Sequence, residues 1–376
     1  MPQKRVRSGK TRWVGRYRDP AGRERSKTFD TRREAQAWEH EREREIRRGE
    51  WVNTNDAPTL GQLWVSWEKA ASTDGTRAVR HRVGKNLGDM DGVQITRINA
   101  AMLRTWLVHL RDGRPWVDGC EGLAENTRAA WWGQLVGCFG MAVDDQLLLA
   151  SPTSRVQGPR ASSAIDPAKL PSVESVAAAI RRADESGREV LATMIMLAAC
   201  TGMRAGEVGG LRPRSVDLQA MVVHVVEQSV VKREGREPEW APLKSAAARR
   251  SIPIPPAMKV RLAGHMLAHS AAPDDVLFRT PTGRGWTSEH ISHAMKALGG
   301  PRFHDLRHLY ASSLIRQGMG VKAVQSMLGH ASATLTLDTY AHLWPDEHER
   351  VRDAAGGLLG DVLRDQCGTG MGERSV

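Results

Sequence analysis

Phe303-His304-Asp305-Leu306-Arg307-His308 sets two histidines and an arginine three and four residues apart. On a helix such positions share a face, so His304, Arg307 and His308 point to one side. A His pair at i, i+4 is also half of a metal site. No acidic or histidine partner at metalloenzyme spacing completes it, so no metal is expected here. Moving toward the C-terminus, Leu328-Gly329-His330 follows, and Tyr340 comes ten residues after His330. Gly329 fits the position just past a helix Val321–Leu328, where a left-handed residue closes the last turn, so His330 sits on a fixed bend. The chain has three tyrosines, and this one lies in the polar run Asp338-Thr339-Tyr340-Ala341-His342. Toward the N-terminus, the apolar run Val190–Cys200 breaks at Thr201-Gly202-Met203-Arg204-Ala205-Gly206-Glu207. Arg204 then opens a new helix with Glu207 one turn on. Between these boxes Lys244 lies in or next to a turn, in Pro242-Leu243-Lys244-Ser245.

Each of these has an ordinary explanation: a local Arg–Glu pair, a solvated turn lysine, a half-buried aromatic. Together they supply two arginines, a lysine, two histidines and a tyrosine in a basic protein. That set can hold a phosphodiester and attack it with a phenol. The planar fork of arginine binds two non-bridging oxygens, and two such groups offset the charge of a pentacovalent phosphorane. A phenol of pKa ~10 costs about 4 kcal/mol to ionise at neutral pH, so a base or a strong positive field must stand beside it. The departing sugar hydroxyl needs an acid, for which a lysine is suited.

Length and composition agree. The 376 residues predict two or three domains at ~100–200 residues each, and 40% hydrophobic with 26% charged residues is the mix of a folded globular protein. Of the formal net charge of +11, residues 1–50 carry +7, with sixteen Lys/Arg against nine Asp/Glu. This favours a polyanion partner such as nucleic acid, with a solvated tail as the alternative. The apolar run Val190–Cys200 is 11 residues long, short of the ~20 that cross a bilayer. No apolar segment follows the basic residues at positions 4–5, so no secretory signal is expected. Cys120, Cys138, Cys200 and Cys367 are scattered, which predicts neither a disulfide framework nor a zinc ribbon and fits a reducing cytoplasm. A nucleotide-binding phosphate loop and a dinucleotide fingerprint are both missing, so no cofactor is expected.

The pattern along the chain predicts a multidomain, mainly α protein with small β elements. Trp13, Gly15 and Tyr17 alternate with Val14, Arg16 and Arg18. Asp19-Pro20-Ala21-Gly22 turns, Arg23 to Phe29 returns as a strand, and Asp30 or Thr31 caps a helix to about Arg48. Residues 1–56 thus read as a small sheet plus one helix, with Arg12, Arg16, Arg18, Arg23, Arg25 and Lys27 as candidate DNA contacts. Residues 57–155 read as helical, with helices near Leu60–Trp67, Asn99–His109 and Asn126–Asp145. Their tryptophans recur at helical spacing and are assigned to the core. Residues 156–171 read as a linker. Residues 172–360 are mostly helical with a β insertion, Met221–Val226 and Arg249–Pro255 around a turn at Arg233–Glu239. Residues 361–376 read as a flexible tail.

The order Arg204, Lys244, His304-x-x-Arg307, His330, Tyr340 resembles the tyrosine recombinase (phage integrase) family, box by box and in family order. The resemblance implies that Tyr340 attacks a scissile phosphate to form a 3′-phosphotyrosyl bond and release a 5′-hydroxyl. It further implies that Arg204 and Arg307 clamp the phosphate, Lys244 is the general acid, and His304 assists proton transfer at the nucleophile. His330 would hydrogen-bond the phosphate, and Glu207 would be a structural carboxylate. The bond energy stays in the phosphotyrosine, so neither ATP nor metal is implied. By the same resemblance, residues 57–155 are a core-binding domain that forms a clamp on the duplex with a mixed α+β catalytic domain, and residues 1–56 are an arm-type DNA-binding domain. The resemblance also implies a homotetramer on double-stranded DNA with core-type and arm-type sites, and a segment Trp344 to Leu359 that packs on a neighbour. Accessory DNA-bending or directionality factors and a cytoplasmic, nucleoid-associated location follow as well. The alternatives are a non-catalytic DNA-binding regulator on the same scaffold, a type IB topoisomerase-like strand cleaver, and a metal-dependent nuclease.

Overall fold

The computed structural model describes residues 2–7, 10–20, 22–49, 51, 57–162, 164–231, 238–269, 272–344, 351–352 and 355. The chain divides into two compact units, Met1–Ser162 and Ser163–Val376. The expected tail at 361–376 lies outside the described residues, and so does most of the segment Trp344 to Leu359.

The first unit opens with β1 (Gln3–Arg7), β2 (Lys10–Arg18) and β3 (Glu24–Phe29), an antiparallel sheet in that order. Helix α1 (Arg32–Arg48) follows, its start closed by a reciprocal Thr31–Glu34 capping box. Trp38 of α1 packs edge-on against Tyr17 at 5.2 Å and, tilted, against Phe29 at 5.6 Å. Directly opposed residues of an antiparallel pair share a face. The register Arg5↔Arg12 and Arg16↔Ser26 therefore puts Arg5, Arg12, Arg16 and Arg18 on the face away from α1. Strand β1 is not apparent in the sequence, because Gln-Lys-Arg-Val-Arg carries one apolar residue and shows no alternation.

Four helices come next: α2 (Leu60–Lys69), α3 (Asp74–Gly84), α4 (Ala100–Asp112) and α5 (Glu125–Asp144). Leu60, Trp64, Leu103, Trp106, Trp131 and Phe139 form their core. The buried indoles of Trp64 and Trp106 donate to the carbonyls of Arg80 and Asn86, both at 2.8 Å. The tryptophan stripe is thus core, as its spacing predicts. Helix α3 is missed by periodicity because Ala78, Val79 and Val83 are its only apolar residues.

The second unit contains α6 (Val173–Glu185), α7 (Glu189–Thr201), α8 (Ala205–Gly209), β4 (Val216–Asp217), β5 (Val222–Val225), β6 (Glu227–Val230), β7 (Glu239–Pro242) and β8 (Arg250–Pro253). After these come α9 (Pro256–Ala268), α10 (Ser288–Ala297), α11 (Phe303–Arg316), α12 (Val321–Leu328) and α13 (Ala333–Tyr340). Strands β4, β5 and β8 form one sheet, with Val223 opposite Ile252 and Val225 opposite Arg250. Strands β5 and β8 are therefore the pair that the sequence predicts.

The connection between them differs from the expected turn. Glu239 begins β7, which pairs with β6 from Glu227↔Pro242 to Val230↔Glu239; residues 232–237 lie outside the described residues. Glu-Gln-Ser-Val and Glu-Trp-Ala-Pro are four residues each, the first mostly polar and the second ending on a proline, a weak β signal that tertiary pairing overrides. The main core gathers Ile195, Leu197, Val223, Ile252, Phe278 and Leu306. A smaller core of Ala311, Ile315, Val324, Leu328 and Tyr340 seats α13 on α11 and α12. Ile165 packs on this smaller core, and its N–H donates to the Thr339 carbonyl at 3.3 Å.

Candidate active site

Two glycines in the boxes have steric reasons to be glycine. Gly202 caps α7 at φ +63°, where an added Cβ would come within 2.5 Å of the Tyr310 ring. Gly329 caps α12 at φ +67°, where a Cβ would meet Ala248 Cα at 3.1 Å. Both helices end in the left-handed region that glycine enters at least cost. Their carbonyl ends converge on one side chain. Arg307, only 2% exposed, donates Nη1 to the Gly202 carbonyl at 2.8 Å and Nη2 to the Leu328 carbonyl at 2.5 Å. A cation at two helix C-termini satisfies carbonyls that lack intrahelical partners and complements both dipoles. Burial, then the nearby Arg204 charge, pushes the guanidinium down to about 9, so it stays protonated at neutral pH. With two of its five N–H donors used on the backbone, three are left for a ligand.

Arg204 stands at the start of α8, its side chain 39% exposed. Glu207 fixes it. The buried carboxylate accepts the Arg204 backbone N–H at 2.9 Å and its Nη1 at 2.8 Å. From the other side it accepts Nη2 of Arg250 at 2.8 Å and Nη1 at 3.2 Å. Arg250 also donates to the carbonyls of Met327 at 2.7 Å and Ala248 at 3.0 Å. Burial raises the Glu207 carboxyl, but the hydrogen bonds and charge of Arg250, with the Arg204 backbone, outweigh it, and the group lies below its ordinary range. Removing one partner of such a pair leaves a buried charge uncompensated, at a cost of about 3–5 kcal/mol. Glu207→Ala is therefore expected to destabilise the protein by that order in urea unfolding, and Glu207→Gln, which keeps the acceptor oxygen, by less. Equal stability of the Ala variant and wild type would contradict this role.

Tyr340 ends α13 with its ring 1% exposed. Its hydroxyl is 2.8 Å from Nδ1 of His308. Burial pushes the phenol up to about 12, although the charges of Arg307 and Arg204 pull the other way. His308 is held down to about 4, first by burial and then by His304, so it is neutral at pH 7; in the tautomer with its proton on Nε2, its Nδ1 accepts the phenolic hydrogen. The His304 ring stands perpendicular to His308, with centroids 4.7 Å apart. Partial desolvation, then the charges of Arg307 and Arg204, keep His304 below its ordinary value.

His330 follows Gly329 and is 8% exposed. Its Nδ1 lies 2.9 Å from Thr336 Oγ1, one helical turn before Tyr340 on α13. Burial, then Arg307, Arg204 and Arg250, holds this imidazole down to about 4. It is neutral at pH 7, and its Nδ1 is the nitrogen engaged by Thr336.

Five of the residues singled out in the sequence, Arg204, His304, Arg307, His330 and Tyr340, thus form one electrostatically coupled cluster with Glu207 beneath it. Lys244 is exposed in the bend after β7, with no ion pair among the described residues. Two members escaped the sequence reading. Arg250 occupies an inward position of β8 together with Ile252, and strand alternation was the available signal. His308 reads in the sequence as half of a metal pair with His304, and nothing local joins it to Tyr340. Among the described residues no group of three or more His, Cys, Asp and Glu side chains could hold a metal ion.

The N-terminal cations divide. Arg12 pairs with Asp30, and Arg16 donates to Glu24 and Gln3, both at 2.9 Å. Arg18 shares their face. Arg25 and Lys27 lie opposite Tyr17 and Gly15 on the α1 side. There Arg25 Nε donates to Asp19 at 3.1 Å, and the Lys27 ammonium sits 5.5 Å from the Phe29 ring. Arg23 lies in the turn, its N–H bonded to Asp19 Oδ1 at 2.9 Å. No described helix is long and apolar enough to cross a membrane.

Comparison with known proteins gives the same assignment. Residues 172–347 match the model of the phage integrase family. The chain is 28% identical to the prophage phiRv2 integrase of Mycobacterium tuberculosis (strain CDC 1551 / Oshkosh) over 358 residues, covering 88% of each chain. It is 23% identical to the integrase of Mycobacterium phage L5, covering 82% of this chain and 84% of that one. The fold matches the Tn1549 transposon integrase in complex with transposon right end DNA with a TM-score of 0.64 at 18% identity, over 80% of this chain and 99% of that chain. It matches a lambda integrase dimer bound to a COC' core site with a TM-score of 0.53 at 18% identity, over 93% and 96%. The family match spans the residues that gather the arginines, histidines and buried tyrosine: residues 172–347 are a tyrosine recombinase domain of the phage integrase family, and over most of its length the chain is similar to integrases of phages and mobile elements.

Proposed function

We propose that this chain is a site-specific DNA recombinase that integrates or excises a phage or mobile element by cutting and rejoining DNA through a 3′-phosphotyrosyl intermediate. The observation that carries this reading is the seating of the Tyr340 phenol in the field of Arg307 and Arg204 of its own chain. Tyr340 is the nucleophile. Arg307, anchored on two helix ends, and Arg204, held by Glu207, take the non-bridging oxygens of the scissile phosphate. His330 donates to the same phosphate from its free nitrogen, and His304 borders the reacting centre. Lys244, exposed and unpaired by acids among the described residues, reaches the departing 5′-oxygen as general acid. The phosphotyrosyl bond keeps the energy of the phosphodiester, so ligation is the reverse of cleavage and draws on neither ATP nor metal.

In this reading residues 1–56 bind arm-type DNA through the outer sheet face of Arg12, Arg16 and Arg18, with Arg23, Arg25 and Lys27 adding to the basic field. Residues 57–155 bind the core site, 156–171 link, 172–360 form the catalytic domain, and 361–376 are a tail. Four protomers act on two double-stranded sites, with DNA-bending or directionality factors as further partners, in the cytoplasm on the nucleoid of a bacterial host. The test is covalent capture. Nicked duplexes with a randomised core are incubated with the protein in EDTA without ATP, and DNA that migrates with denatured protein is sequenced. A defined duplex enriched as adduct supports the reading. Cleavage that stops on chelation, relaxation of plasmid without site preference, or binding with no adduct contradicts it.

A further inference from the structure

The contact between Tyr340 and His308 is not used by the roles above, and it is the closest polar contact of the reacting oxygen among the described residues, at 2.8 Å. His304 sits one turn earlier on α11, its ring perpendicular to that of His308. We propose that His308 is a catalytic residue, the base that takes the phenolic proton of Tyr340 as its oxygen attacks the scissile phosphate. This rests on the recombinase reading of the site.

In the step, the Tyr340 Oη–H bond breaks and its proton passes to Nδ1 of His308 while Oη bonds to phosphorus. The bond from phosphorus to the 5′-oxygen breaks, and that oxygen takes a proton from Lys244. Ligation reverses both transfers. The geometry is fixed from both sides. His308 is held by the body of α11, and Tyr340 is held by the small apolar core that seats α13. The ionisable groups facing His308 are His304, Asp305, Arg307 and Arg302 from α11 and its start, His330 from the bend after α12, and Tyr340 from α13. Burial first, and then His304 with the cations Arg307 and Arg302, keeps His308 neutral without DNA, and burial keeps the proton on the phenol. The nucleophile is therefore uncharged at rest. An entering phosphodiester brings a negative charge beside Arg307 and Arg204. That charge offsets the cations that suppress His308 and makes the proton transfer favourable only with substrate in place.

The test uses the full chain and the duplex obtained by covalent capture, in single-turnover cleavage. Absence of any wild-type adduct would refute the recombinase reading itself, separately from this proposal. His308→Gln keeps a polar side chain of similar reach but cannot accept the proton. It is expected to bind the duplex like wild type and to cleave ~100-fold more slowly, within the range for loss of a general base. A substrate whose 5′-bridging oxygen is sulfur has a good leaving group. It is expected to restore Lys244→Ala and not His308→Gln. The His308→Ala rate is expected to rise about tenfold per pH unit, as hydroxide replaces the lost base, and to recover with added imidazole. Wild type, whose base is already neutral, stays flat above about pH 6. Cleavage by His308→Gln within threefold of wild type, its rescue by the sulfur substrate, or a His308→Ala rate indifferent to both pH and imidazole would overturn the proposal.

Discussion

Tyr340→Phe is expected to bind the captured duplex with the affinity of wild type and to form no detectable adduct, a loss of at least about 10⁴-fold for removal of the covalent nucleophile. The change removes one oxygen and leaves the ring in the core of Ala311, Ile315, Val324 and Leu328. The stability cost is the hydrogen bond to His308, about 1 kcal/mol. Binding, folding and chemistry therefore separate in one variant. Band shift and thermal unfolding should stay near wild type, while denaturing gels lose the protein–DNA band. Residual adduct at more than one per cent of the wild-type rate would mean that another residue attacks the phosphate.

Arg307→Lys is expected to lower single-turnover cleavage about a thousandfold, in line with loss of preorganised cationic donors at a phosphoryl transition state. Arg307 spends two donors on the carbonyls of Gly202 and Leu328 and keeps three. An ammonium has three in all, on a point charge without the planar fork. Lysine at this position must therefore give up either the helix ends or the phosphate. The variant should bind DNA nearly normally, since steps before cleavage rely on many other phosphate contacts. A rate within tenfold of wild type would show that charge alone suffices and that the two helix-end carbonyls do not orient the clamp.

How much of this was legible depended on whether the signal was local. Arg204, Arg307, His304, His330 and Tyr340 stand in short boxes whose glycines and helical spacings fix local geometry, so they could be chosen from the chain alone. Gly202 and Gly329 mark helix ends in the sequence, and both prove to be left-handed caps packed against neighbours. His308 was visible, but its partner lies 32 residues away on another helix, and only the packing of α13 onto α11 joins them. Arg250 follows another arginine at the start of a strand. Nothing local distinguishes it from a solvated cation, although its alternation with Ile252 places it inward. Strands β1 and β6 and helix α3 escaped because their residues are mostly polar, and β7 because it is four residues ending on a proline; their pairing or packing is supplied by neighbours. In the N-terminal sheet, composition could count the cations but not sort them. The register does so, sending Arg12, Arg16 and Arg18 to one face and Arg25 and Lys27 to the other.

With three tyrosines in the chain, Tyr17, Tyr310 and Tyr340, the central claim can be decided by mass spectrometry of the trapped complex. Wild-type protein is reacted with the captured nicked duplex in EDTA, digested with protease and nuclease, and its peptides are sequenced. The account predicts a nucleotide attached through a 3′-phosphate to the side chain of Tyr340. Attachment at Tyr17, at Tyr310 or at any other residue, or cleaved DNA with no nucleotide on the protein, would contradict it.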